Sequence, residues 1–201
     1  MMGHANLPEF FKGNEYFIDE KIGFLKFSNA YKVYDEKGQQ IGNIEQSVPG
    51  WHKLLRLFLS KAIFPFTLHV KEMDGTTVAT IQRGWTIWMS KISILDGQGN
   101  HIGGIKHKFK LFKPLFHIVD QQDNVLAEIK GDWKAWDFRI VDKGDNGIGH
   151  ISKKWAGVLK EVFTTADKYR VTVENTCPPG LAKIAIVAGA ITIDMILKES
   201  K

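Results

Sequence analysis

The chain has 201 residues, 44% of them hydrophobic and 24% charged, with a single cysteine and a net charge of +5. That length can bury a core without disulfides or metals, and the composition excludes disorder, collagen-like repeats and a multi-span membrane bundle. The lone Cys177 excludes an internal disulfide and fits a reducing compartment, and the basic balance suits an anionic membrane or a nucleic acid.

Residues 1–14 lack the basic-then-apolar order of a secretion signal and read as a short arm. Residues 15–201 read as a single domain. A first strand is predicted over Glu15 to Ile22. An internal repeat follows: an alternating run ends near an Asp, a turn intervenes, and a second alternating run begins. The turn aspartates are Asp35, Asp74, Asp96, Asp120 and Asp142, spaced 39, 22, 24 and 22 positions apart. Period-two alternation predicts strands with one buried face. The Asp bonds into its own turn, and Gly or Asn supplies the positive φ. Five hairpins therefore give ten strands.

The wide first gap holds Trp51 to Ile63, between Pro49-Gly50 and Pro65, and predicts a helical insertion. Its apolar residues share one side, and its charges are Lys53, Arg56 and Lys61. This suits a helix in a membrane interface, and equally a helix packed on the domain wall. Ile105 to Lys113 predicts a strand with Lys106, Lys108 and Lys110 on one face and Lys113 beyond. With no acid nearby in sequence, these lysines read as uncompensated positives, either a solvated face or an attractor of anionic head groups. Asp142 to Gly147 resembles the start of a calcium loop, but Gly144 and Lys153 stand where oxygen ligands are required, so it reads as a hairpin turn. Lys168 to Glu174 is a further strand. The last segment, about 181–198, is apolar nearly all round yet contains Lys183 and Asp194. It is short and charged for a membrane span, and twelve antiparallel strands that close into a barrel leave an interior for it to fill. The expected fold is thus mainly β with α: a closed antiparallel barrel of about twelve strands around a central apolar C-terminal helix. Asp194 then requires a buried partner, such as a Lys, a Trp ring N–H or backbone groups.

The run Gly149-His150-Ile151-Ser152-Lys153-Lys154-Trp155-Ala156-Gly157, followed by Glu161 and Phe163-Thr164-Thr165-Ala166-Asp167, resembles the signature of the phospholipid scramblase family. Gly189-Ala190 and Asp194 resemble that family's closing motif, so Trp155, Gly157, Phe163 and Asp194 are its structural positions here. The resemblance implies the fold of the Tubby C-terminal domain, a twelve-stranded barrel around an apolar helix, and a role in moving phospholipid between leaflets. It also implies a calcium loop, here from Thr165 through Asp167 and Tyr169 to Thr176. Of the ligand positions Thr165, Asp167, Tyr169 and Thr176, only Asp167 is a strong oxygen ligand, so no cofactor and no strong calcium binding are expected. The acylated cysteine cluster of vertebrate members has no counterpart.

No catalytic constellation, metal-ligand spacing or nucleotide motif is present, which speaks against an enzyme, and no nucleic-acid motif accompanies the basic stripe. The expected partner is anionic phospholipid or a membrane surface, contacted through Trp51, Lys53, Arg56, Lys61, Lys106, Lys108, Lys110 and Lys113. The expected location is the cytoplasm or the cytoplasmic face of a membrane. The alternative is a soluble Tubby-like scaffold without lipid activity.

Overall fold

A computed structural model describes residues 7–21, 30–47, 65–85, 91–108, 115–132, 134–153 and 168–199. The strands are β1 (Glu15–Lys21), β2 (Ala30–Tyr34), β3 (Gln40–Ser47), β4 (Phe66–Glu72), β5 (Thr77–Arg83), β6 (Lys91–Asp96), β7 (His101–Lys108), β8 (Leu115–Val119), β9 (Val125–Asp132), β10 (Asp137–Asp142), β11 (Gly147–Ser152) and β12 (Lys168–Val173). Each pairs antiparallel with its sequence neighbours, and β1 also pairs with β12, so the sheet is a closed barrel. Closure satisfies every strand on both sides and leaves no edge.

A barrel of this size is too wide for wall side chains to fill alone. Helix α1 (Leu181–Glu199) fills it. Every residue from Ile184 to Met195 is buried, which is more than three turns and therefore every side of the helix. Glycines mark close approaches between helix and wall. A side chain on Gly189 would meet Ile129 at 2.9 Å, and one on Gly149 would meet Ile186 at 3.2 Å. The apolar C-terminus is thus the core of the barrel. Lys183, in its first turn, reaches outward, and its ammonium donates to the Lys12 carbonyl and to Asn14 Oδ1, both at 3.0 Å.

The five hairpin turns share one construction. The first residue's N–H donates to the fifth residue's carbonyl, and the fourth residue's N–H returns to the first carbonyl, in Asp35–Gln39, Glu72–Thr76, Asp96–Asn100, Asp120–Asn124 and Asp142–Asn146. A register shift precedes each turn, as in hairpins built on a type I turn and a bulge. In four turns the opening Asp accepts the N–H groups two and four residues on, for example Gly144 at 2.8 Å and Asn146 at 2.9 Å onto Asp142.

Two expectations need correction. The second turn opens with Glu72, not Asp74, which stands two positions later and accepts the Thr76 N–H at 2.8 Å. Glu72 is thereby released to accept the Phe10 N–H at 3.2 Å. The positive φ falls on Gly38, Gly75 and Gly99, but in the last two turns on Asp123 (67°) and Asp145 (62°) rather than on an Asn. A short polar side chain tolerates that conformation. Asn124 and Asn146 instead take the fifth position, where their amides bond to Asp120 and Asp142.

The arm is part of the core. A 3-10 turn, Glu9–Phe11, buries Phe10 and Phe11 at the end of the barrel where the hairpin turns lie. Phe10 stacks on Tyr16, whose hydroxyl donates to the Gly13 carbonyl at 2.7 Å.

Candidate functional site

The topology divides the barrel into two rims. One carries the five hairpin turns, the start of β1 and the start of α1. The other carries the strand ends joined by residues 22–29, 48–65, 84–90, 109–114, 133–136 and 153–167. The sequence is sorted between them. The five turns contain nine carboxylates and two lysines. The six opposite connections contain ten Lys and Arg against two acids, and all six tryptophans of the chain. Neither the sorting of charge nor that of tryptophan follows from closing a barrel, because the turn chemistry demands Asp and Gly on one rim but nothing of the kind on the other.

The turn-rim charges are spent within the fold. A cleft of about 690 Å³ lies there between the arm and the first two turns. Five of its six carboxylates are engaged by the protein: Glu9 by Lys12, Glu15 by Arg170, Glu72 by the Phe10 N–H, and Asp35 and Asp74 by their own turns. The side-chain amides of Asn124 and Asn146, with backbone N–H groups, hold Asp120 and Asp142 below the usual carboxylate range. Cys177 is half buried beside this rim, and burial pushes its thiol up to about 11. It is therefore a weak nucleophile.

At the opposite rim, Trp85 is exposed beyond β5. The β9–β10 turn presents an exposed Lys134, and Trp136 folds back over the barrel, stacked on Tyr169 at 5.5 Å and edge-on to Phe138 at 5.9 Å. The Lys153 ammonium lies 4.4 Å over the Trp136 ring. Trp136 thus closes this part of the barrel end. Trp155, a structural position of the family signature, lies outside the described residues.

Of the sequence-predicted lipid contacts, Lys106 and Lys108 lie on β7. Lys106 is not uncompensated: Asp123, carried to it by the β8–β9 turn, pairs with it at 3.0 Å and with Lys91 at 3.1 Å. Those two lysines, and their hydrogen bonds first of all, lower the Asp123 pKa. Lys108 is exposed, and beside it His107 stacks on Phe116 at 4.8 Å, with burial lowering its pKa. Trp51, Lys53, Arg56, Lys61, Lys110 and Lys113 lie outside the described residues, as do Thr165, Asp167, Gly157 and Phe163. The rest of the expected calcium stretch is not one loop. Tyr169 is buried at the start of β12, and Thr176 lies past its other end, donating to the Gly147 carbonyl at 3.3 Å. The structure does not bring these two positions together. The Asp142 to Gly147 stretch is a hairpin turn, as expected. Among the described residues no cluster of three or more His, Cys, Asp or Glu is placed to hold a metal, and no helix is long and apolar enough to cross a membrane.

Asp194 is fully buried, and one partner is the Tyr31 hydroxyl of β2, which donates to Oδ2 at 3.2 Å. The sequence offered no sign of this tyrosine beyond its inward parity on a predicted strand.

Comparison with known proteins places this geometry. A human protein named phospholipid scramblase family member 5 is 27% identical over 161 residues, covering 73% of this chain and 58% of its own length. Human phospholipid scramblase 1 is 25% identical over 150 residues, covering 68% and 47%. The Saccharomyces cerevisiae protein named altered inheritance rate of mitochondria protein 25 is 20% identical over 184 residues, covering 79% and 56%. The chain spans about half the length of the curated relatives it matches. An X-ray structure of an Arabidopsis thaliana protein aligns with 94% of this chain and 93% of its own at a TM-score of 0.49 and 9% identity. The family model described as Scramblase matches residues 20–199, nearly the whole barrel and its helix, and the chain belongs to that family.

Proposed function

We propose that this protein is a peripheral membrane protein that binds anionic phospholipid through its tryptophan-bearing rim and assists transbilayer movement of phospholipid without strong calcium dependence. One observation carries the reading: the connections at one rim hold all six tryptophans and ten basic residues, while the opposite rim is acidic. Tryptophan favours the membrane–water interface, where its ring is half apolar and its N–H stays wet. Each lysine near an anionic surface adds roughly 1 kcal/mol of attraction. The acidic turn rim is repelled by the same surface, so the molecule is steered onto the membrane with one end leading. Trp51, Lys53, Arg56, Lys61, Lys110 and Lys113 belong to connections of the leading end, and Lys108 ends the strand beside them. Calcium independence rests on the poverty of strong ligands: of Thr165, Asp167, Tyr169 and Thr176, one is a carboxylate, and calcium takes about six to eight oxygens.

Co-sedimentation with vesicles tests the reading. Binding to anionic vesicles, weakened by salt and unaltered by a calcium chelator, is expected, with little binding to neutral ones. Failure to bind either leaves a scaffold without lipid activity. Movement of fluorescent lipid in proteoliposomes, with and without calcium, tests the second half of the proposal.

A further inference from the structure

Trp136 has a backbone φ of +52°. A bulky aromatic residue in the left-handed region is an outlier that persists only where its surroundings over-determine it. Here they do. Its carbonyl accepts the Lys153 N–H at 3.1 Å, and its ring is held by Tyr169 and Phe138. The effect of the strained turn is to lay an aromatic face under the Lys153 ammonium, 4.4 Å from the ring centroid. A lysine resting on a fixed ring samples fewer positions than one in solvent and loses less freedom when it meets an anion. The two acids of the turn are engaged locally. Asp132 Oδ1 accepts the N–H groups of Lys134 and Ala135 at 2.8 and 3.3 Å, and Asp137 is 2.6 Å from His150 Nε2. Exposed Lys134 adds a second ammonium to the same turn.

We infer that the β9–β10 turn and Lys153 form a binding site for the phosphodiester of an anionic phospholipid at the bilayer surface. Lys153 and Lys134 contact the phosphate, and Trp136 is the platform that positions Lys153. The membrane is favoured over a soluble phosphodiester because the site sits on the rim whose connections carry every tryptophan. The inference rests on the membrane reading above and narrows it to named residues.

The test uses the full chain and vesicles of phosphatidylcholine with phosphatidylglycerol. The double variant Lys134→Gln with Lys153→Gln is compared with Lys37→Gln with Lys143→Gln, which removes the same charge from the turn rim. The first is expected to lower partition about 30-fold, roughly fivefold per lysine, and the second to leave it unchanged or raised. Lys153→Arg, which keeps the charge and the ring contact, is expected to bind as the unaltered chain does. If the Lys134 and Lys153 double variant binds normally, or if both double variants lose binding alike, the site is wrong while the membrane reading stands. Displacement by soluble glycerophosphoglycerol would overturn the bilayer assignment. If the unaltered chain does not bind, the membrane reading fails and takes the site with it.

Discussion

At the scale of single residues, the barrel interior is largely apolar, and few polar groups enter it. Asp194 is the sharpest case, because a carboxyl with no exposure needs a donor, and Tyr31 supplies one from a strand 163 positions away. Tyr31→Phe keeps the ring and removes the donor. It is expected to lower stability by about 1–3 kcal/mol, read as a shift in urea denaturation midpoint. The turn aspartates work differently, since they are exposed and their bonds are local. Asp142 has its pKa lowered in the folded state by the Asn146 side chain first and by backbone N–H groups after it. Its contribution is complete above the ordinary carboxylate pKa and disappears as pH falls through the folded value. Asp142→Ala is therefore expected to be less stable than the unaltered protein at pH 7 and to approach it at pH 3. Denaturation at the two pH values checks this. The need for a partner at Asp194 was legible in the sequence, but the Tyr31 contact was not, because only ring closure brings β2 over the last turns of the helix.

At the scale of elements, the hairpins were legible because two local signals agree, alternation along the strands and turn chemistry between them. The departures came where a turn residue answers to something beyond its own turn. Glu72 replaces the expected Asp and sends its longer side chain to the Phe10 N–H of the arm. Asp123 takes the positive-φ position and meets two lysines of β6 and β7. Both contacts cross between elements, so no local pattern announces them. The arm itself has no repeat to mark it, yet it is packed so closely that Gly42 has no room for a side chain. A methyl group there would overlap the Lys71 carbonyl and stand 2.8 Å from the Phe10 ring. Gly42→Ala is expected to cost about 1–3 kcal/mol and to weaken the near-ultraviolet signal of the Phe10–Tyr16 stack, measured by thermal unfolding and circular dichroism.

At the scale of the whole molecule, a closed ring of strands separates two surfaces that the linear sequence interleaves. The net charge of +5 says nothing of this sorting, which emerged once alternate connections were assigned to opposite rims. Because every tryptophan of the sequence falls in a connection between strand ends of one rim, intrinsic tryptophan emission is expected to report on that rim. Bound to anionic vesicles, the protein is expected to lose most of this emission to lipids brominated near the interface, rather than the fraction that a scattered set of tryptophans would lose. Ring closure carries a consequence of another kind. Each hairpin can form from neighbours in sequence, but β1 meets β12 only after the rest of the chain has come round, with Glu15 opposite Thr172 and Ile18 opposite Tyr169. Pairing across so long a separation is slow to nucleate and late to form. The seam, tied by Glu15 with Arg170 and by Asn14 with Asn175, is thus expected to close late, after the final strand has been delivered.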